Sequence, residues 1–299
     1  MKERILATLI YSDIFDYPLK QEEIWLWLVG YPNKNKNRGT NSDIKKLSIY
    51  LRQLKEAGQV GEKKGYYFLK EREKVVNLRL KRNLFSQTKK EKAVKIAGIM
   101  RLIPWVKLIA VTGGVAADNA KEEDDIDLFF ITASKRLWLS RGLIVLFLTL
   151  FGFYRRSDKI KDMFCPNMFV AEDSLKIKTQ DLFTAHEMGQ MKVLFEKNNI
   201  FQVFLLANQW TKFYLPNLFL VEKLNERTSE RDFPLISRIL DFLDGLSQKA
   251  QVRYMRKKQT KEVVKMSLIK FHPKDVRLNI LRKYQEKTVL YGLDKLCYI

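Results

Sequence analysis

A chain of 299 residues exceeds the size at which a single hydrophobic core stops growing, so more than one module is expected. With 46% hydrophobic and 30% charged residues the composition is that of a folded globular protein and excludes a disordered or fibrous chain. The balance of 55 basic against 34 acidic residues, +21 in all, draws polyanions such as nucleic acid, nucleotides or an anionic membrane surface, without choosing among them.

The amino-terminal 72 residues are expected to hold three helices and a hairpin. Ile5, Leu6, Leu9 and Ile10 keep helical spacing, Asp16-Tyr17-Pro18 makes a turn, and LKQEEIWLWLVG supplies a second helix ending near Gly30. After a basic loop, Tyr31 to Ser42, the third helix is capped by Ser42, carries Ile44, Leu47, Leu51 and Leu54 on one face and stops at Gly58. QVGEKK and YYFLK then pair around Lys64-Gly65. This order resembles the winged-helix form of the helix-turn-helix, which implies phosphate contacts from Lys45, Lys46, Arg52 and Lys55 on the third helix and Lys63 and Lys64 on the wing; the same fold also serves as a protein-docking module.

Residues 73–178 are expected to form a connecting helix and a second module. The helix, from Glu71 to about Lys95, has Val75, Leu78, Leu80 and Leu84 at loosely helical intervals. Next come an apolar strand, VKLIAVT, a Gly113-Gly114 corner, a short helix over Val115–Ala120, an acidic insert and a second strand, IDLFFIT, entered through Asp125 and Asp127. Alternation along a strand sends Asp125 and Asp127 to one face while Ile126 enters the core. Two carboxylates on one face bind hard divalent cations, and adjacent glycines let a phosphate approach the backbone N–H groups.

In this order the strand, Gly-Gly, short helix and Asp-apolar-Asp look like the nucleotidyltransferase superfamily of polymerase β, over roughly Lys107 to Val170. The resemblance implies a mixed central sheet with flanking helices, Mg2+ or Mn2+ held by catalytic Asp125 and Asp127, and a nucleoside triphosphate seated by Thr112, Gly113 and Gly114, with Lys135 and Arg136 near its charge. Together with the first module, it is similar to bacterial nucleotidyltransferase-domain proteins that begin with a winged helix, which implies no particular acceptor. Two departures stand out. Gly114 replaces the more usual serine, and no third carboxylate matches cleanly: MFCPNMFVAED offers Asn167 mid-strand, Glu172 or Asp173 at its end and Asp162 before it, and Pro166 argues for an edge strand.

Beyond Thr179 a helical region, 179–299, is expected. It includes TAHEMGQMKVLFE and a long helix opened by Pro234 with Ile236, Ile239, Leu240, Leu243 and Leu246 inward and a basic end that is a second candidate contact for DNA or RNA. His186 and Glu187 read as a structural pair and His272 as a turn residue. GLIVLFLTLFGFY, from Gly142, falls short of the ~20 residues a bilayer needs and is expected to be a buried helix, so no stable membrane insertion is expected. Cys165 and Cys297 make no disulfide framework, and Met1 to Ile5 lacks the apolar core of an export signal; the expected compartment is the cytoplasm. The whole implies an α+β, metal-dependent enzyme transferring a nucleoside monophosphate to an unspecified acceptor, or a catalytically weak or inactive nucleotide-sensing, nucleic-acid-binding regulator.

Overall fold

Helix α1 (Lys2–Asp13) is followed by strand β1 (Leu19–Lys20), helix α2 (Gln21–Leu26), helix α3 (Asn41–Glu56) and a hairpin of β2 (Val60–Lys63) and β3 (Tyr66–Leu69). The computed structural model describes residues 1–30, 41–218, 234–256, 263–264, 268–270 and 276–296. Most of the expected basic loop, the Lys45 and Ile44 side chains, His272 and Cys297 therefore lie outside the described residues.

The expected second helix is shorter at both ends. Leu19 and Lys20 are extended and pair with Tyr67 and Tyr66, giving a sheet ordered β1-β3-β2. The helix starts only where Glu23 Oε2 accepts from the Lys20 N–H at 2.8 Å. It ends early because Leu28 and Val29 turn inward; the Val29 N–H donates to Thr8 Oγ1 at 3.0 Å and its carbonyl accepts from Arg4 Nε at 2.7 Å. In α3, Leu47, Leu51 and Leu54 are buried, and Gly58 at φ +66° closes the helix in the left-handed conformation.

Helix α4 (Val75–Met100) inverts the expected pattern. Leu84 is 70% exposed and Leu80 is also exposed, while Arg79, Arg82, Ser86 and Lys89 point inward at spacings of three and four residues. Arg79 Nη2 meets Glu23 Oε1 at 2.7 Å, and Arg82 Nη1 donates to the Phe15 carbonyl and Asn119 Oδ1, both at 3.0 Å. Ser86 Oγ accepts from the Ala120 N–H at 3.0 Å. Lys89, 2% exposed, donates from Nζ to the carbonyls of Glu122 (2.9 Å) and Asp124 (2.7 Å) and to Asp162 Oδ1 (2.7 Å). An ammonium removed from water is tolerated only with such partners, so these bonds tie the acidic insert to the helix.

The remaining elements are β4 (Val106–Val111), α5 (Gly113–Ala116), β5 (Ile126–Thr132), α6 (Leu137–Leu150), β6 (Phe164–Ala171), α7 (Leu182–Gln190), β7 (Lys192–Glu196), α8 (Ile200–Ala207), α9 (Thr211–Tyr214), α10 (Pro234–Arg256), β8 (Val263–Val264), β9 (Leu268–Lys270) and α11 (Val276–Leu290). They build the expected mixed sheet, ordered β7-β4-β5-β6-β9-β8, with β5 and β6 parallel and the other pairs antiparallel. Both faces are covered, so β4 and β5 read as continuous apolar runs. Ile109, Val111, Ile126, Leu128 and Phe130 meet Ile96, Ile144 and Leu148, whereas Leu108, Ala110, Phe129 and Ile131 meet Met188, Ile200 and Phe204.

Strand β6 is not an edge strand. Met168–Val170 pair with β9 on one side while β5 lies on the other, and the register shift between Leu128 and Phe129 bulges Asn167 out of the ladder. The proline thus sits directly before a bulge, a place in a sheet where proline is tolerated. The region after Thr179 is not wholly helical either: α7 ends at Gln190, and the strand-forming Val193, Leu194 and Phe195 extend along β4 as β7, while β8 and β9 close the other edge.

Helices α6 and α10 also bury polar groups that the apolar pattern passed over. Asp244 Oδ1 accepts from the Leu139 N–H at 2.8 Å, and Ser247 Oγ and Gln251 Nε2 donate to the Trp138 carbonyl at 3.0 and 2.8 Å. Consequently Ile239, Leu243 and Leu246, expected inside, are exposed, and the Ile236 side chain is outside the described residues. α6 is half-buried rather than buried: Ile144 and Leu148 face the sheet, while Leu143, Leu146 and Leu150 are exposed. Among the described residues no helix is long and apolar enough to cross a membrane.

The amino-terminal module shares a core with the region beyond residue 178. Ile5, Leu9, Leu28 and Leu47 pack in one cluster with Leu182 and Ala185 of α7, Leu215, and Leu281 and Tyr284 of α11. The inverted face of α4 is directly testable. Replacing Lys89 by Met should cost about 3 kcal/mol, because it strands the oxygens of the acidic insert. Leu84→Gln should stay within about 0.5 kcal/mol of the parent. Urea unfolding midpoints of the two variants check the contrast.

Candidate functional site

Strand β4 runs into the glycine corner through Thr112, whose N–H donates to the Asp127 carbonyl at 3.0 Å. Gly113 then takes φ +62°, and a Cβ there would stand 3.2 Å from Asp127 Oδ2. Two constraints therefore select glycine, one from the backbone and one from the carboxylate against it. Gly114 starts the way back: its carbonyl accepts from the Asn119 N–H at 2.8 Å, and Asn119 Nδ2 donates to the Phe15 carbonyl at 3.0 Å, joining the corner to the amino-terminal module. The expected short helix is a single turn, so it offers the N–H groups of the corner but little summed dipole.

Asp125 and Asp127 project together, as the alternation predicts. One oxygen of each lies within 4.8 Å of the other and of Cys165 Sγ. Burial raises the Asp125 carboxyl while the Arg155 guanidinium, with Nε 2.7 Å from Oδ2, lowers it. Asp127 is pushed up to about 7, first by burial, then by the charges of Asp125 and of Glu187; a hydrogen bond from Cys165 opposes this. The Cys165 thiol is itself held protonated by burial and by the two aspartates.

Cys165 occupies the place where a third carboxylate was sought, because β5 and β6 run parallel in a register that sets Asp127 beside Cys165. A search for carboxylates alone passes over it. Asn167 lies two residues on, in the bulge, buried, with Oδ1 lacking a hydrogen-bond partner. Glu172 belongs to the other end of the sheet: it ion-pairs with Lys107 at 2.8 Å and accepts from the Ser134 N–H, six residues beyond the level of Asp127, or roughly 20 Å at ~3.3 Å per residue. Asp162 serves Lys89 and Lys92.

Lys135 and Arg136 likewise follow the carboxy-terminal end of β5, whereas Asp125 and the glycine corner lie at its amino-terminal end. They pair with Asp241 of α10 and so lock that helix to α6 rather than meeting the aspartates. The cation that does reach the aspartates is Arg155, which the sequence showed only as the flank of an apolar run.

A cleft opens between the glycine corner, the amino-terminal module and α7. Gly113 and Gly114 form part of its lining, Tyr11, Phe15, Tyr17 and Trp27 supply aromatic walls, and His186 and Glu187 come from α7. His186 is structural in the sense expected, stacked on Tyr11 with ring centroids 4.0 Å apart and an angle of 12°. Glu187 was missed as part of the acidic site; on α7 it follows the buried Ala185 and His186 and precedes the buried Met188, an unusual place for a charge.

No protein-family model, curated protein or solved structure matches the chain.

Asp127 carries a measurable consequence. Its carboxyl holds a proton in the folded chain up to about pH 7 but only to about 3.8 when unfolded, so between those values the folded state binds more protons and stability falls as pH rises. Asp127→Asn should therefore raise Tm at pH 8, with the gain shrinking below pH 7 and absent near pH 3; thermal unfolding across that range checks the sign.

Proposed function

We propose that the chain is a metal-dependent nucleotidyltransferase that moves a nucleoside monophosphate from a nucleoside triphosphate to an acceptor hydroxyl or phosphate. The observation that carries the reading is the convergence of two carboxylates, one of them against a glycine where a Cβ would be crowded and strained, beside an open cleft. Burial, and then the nearby charge of Asp125, raise the Asp127 carboxyl, and carboxyls shifted in this way cluster at sites shaped for chemistry.

The donor set fits a hard divalent cation through two carboxylate oxygens. Cys165 is a soft, protonated neighbour that suits neither Mg2+ nor Mn2+, so Asp125 and Asp127 would be the protein ligands. When bound, the cation supplies charge neutralisation of the triphosphate and of the developing charge at the transferred phosphorus. The chain's own groups do the positioning. N–H groups at Gly113 and Gly114 hold phosphate oxygens, and Arg155, now beside Asp125, is placed to meet phosphate charge. The acceptor oxygen bonds to the α-phosphorus, the bond from that phosphorus to the bridging oxygen breaks, and its electron pair leaves with pyrophosphate. The acceptor proton passes to a carboxylate of the site or to water.

Cys165 beside Asp127 also favours a second reading: a weak or inactive nucleotide sensor in which the missing third carboxylate leaves binding without turnover. Within the winged-helix reading of the first module, Arg52, Lys55 and Lys63 are paired with Glu56, Glu62 and Glu73. A nucleic-acid contact would then draw mainly on Lys46, Lys64 and the basic end of α10.

Asp127→Ala should abolish magnesium-dependent release of pyrophosphate from labelled triphosphates, and Gly113→Ala should lower it at least tenfold, because φ and the carboxylate both oppose the added methyl. Triphosphate binding by the parent without any pyrophosphate release would select the sensor.

A further inference from the structure

The cleft differs in character from the rest of the molecule. The chain has 55 lysines and arginines, yet among the described residues lining this cleft there is no lysine or arginine, and the one charged side chain is Glu187. Its walls are aromatic. Ring faces attract cations, and Tyr17 already carries the Arg79 guanidinium 3.5 Å from its ring centroid. Polyphosphate and nucleic acid would find phosphate-holding groups at the glycine corner but none along these walls.

His186 is an independent feature of the lining that points to a polar ligand. It is 3% exposed, it lines the cleft, and neither Nδ1 nor Nε2 has a hydrogen-bond partner. Buried polar atoms are nearly always satisfied, and those that are not call for an explanation. Stacking against Tyr11, and against Trp27 at 5.4 Å between centroids, fixes the ring plane. Burial holds its pKa down to about 3, so the ring is uncharged near neutrality and presents one donor and one acceptor nitrogen. An acceptor nitrogen and a carboxylate on adjacent residues of α7 suit a group that only donates, which an ammonium does.

We propose that this cleft is the acceptor site and binds a small molecule carrying a protonated amine on an apolar body, the amine held by Glu187 and His186 and the body by Tyr11, Phe15, Tyr17 and Trp27. The proposal deepens the transferase reading and rests on it for the word acceptor. Ser12, Asn119 and Gln190 complete the lining with groups able to orient further hydroxyls. An acceptor hydroxyl directed toward Gly113 would lie on the side of Asp127, whose Oδ2 stands against that glycine.

The test uses the full chain and three near-isosteric probes, phenethylamine, 2-phenylethanol and 3-phenylpropionate, titrated by calorimetry and ligand-observed NMR at pH 7.5 without nucleotide or magnesium. Phenethylamine should bind at least tenfold more tightly than the alcohol, and the acid should not saturate. Glu187→Gln should weaken the amine at least tenfold and leave the alcohol unchanged. In the unsubstituted chain the imidazole 15N resonances of His186, one of two histidines, should shift with the amine and not with the acid; this readout decides the matter even if the variant fails to fold. Equal binding of alcohol or acid, an unaltered amine affinity in the variant, unmoved His186 resonances, or no binding by phenethylamine overturns the proposal. Because these titrations need no nucleotide, a chain that binds the amine and releases no pyrophosphate keeps the amine site and loses the transferase reading, while the reverse outcome separates them the other way.

Discussion

The buried ammonium of Lys89 is the contact on which the candidate site depends. It gathers two backbone carbonyls of the acidic insert and the Asp162 carboxylate, and thereby sets the approach to Asp125 on one side and the start of β6 on the other. One turn earlier, Ser86 and Arg82 hold Ala120 and Asn119, so the return from the glycine corner is fixed by the same helix. The α4 helix acts as a polar spine, and the loop it holds would otherwise be a surface excursion rich in like charges.

This explains which parts of the molecule were legible in the sequence. The two central strands, the convergent aspartates and the glycine corner follow from period-two alternation and backbone sterics, both local properties. The inward faces of α4 and α10 do not, because the helical pattern was sought in leucines and isoleucines, whereas Arg79, Arg82, Lys89 and Asp244 are what these helices bury. Such faces are stable only through particular distant partners, and a single helix segment does not announce its partners. The same holds for Lys135 and Arg136: proximity to the aspartates along the chain placed them near the site, but a strand carries its two ends far apart. Cys165 and Glu187 were hidden for a third reason, since their relation to Asp127 arises from strand register and from α7 crossing the cleft.

The site also shows a tension between folding and chemistry. Burial, and then the charges of Asp125 and Glu187, disfavour the charged form of Asp127, while Arg155 favours the charged form of both aspartates. A sequence selected for stability alone would not assemble them. Their placement at the junction of the sheet, α7 and the amino-terminal module gives the site walls of different origin: a rigid strand with bound carboxylates, and helices that contribute aromatic surface.

The walls of the cleft come from parts of the chain that are far apart in order of synthesis. Tyr11 of α1 stacks on His186 of α7 and meets the edge of Tyr284 of α11, with ring centroids 5.8 Å apart, and Asp13 pairs with Lys287. Tyr284 and Lys287 thus buttress Tyr11 and Asp13 from a helix that takes no part in the acidic cluster. A change in α11 that unseats Tyr284 would reach the aromatic wall of the cleft through Tyr11 while leaving the strand that carries the aspartates untouched.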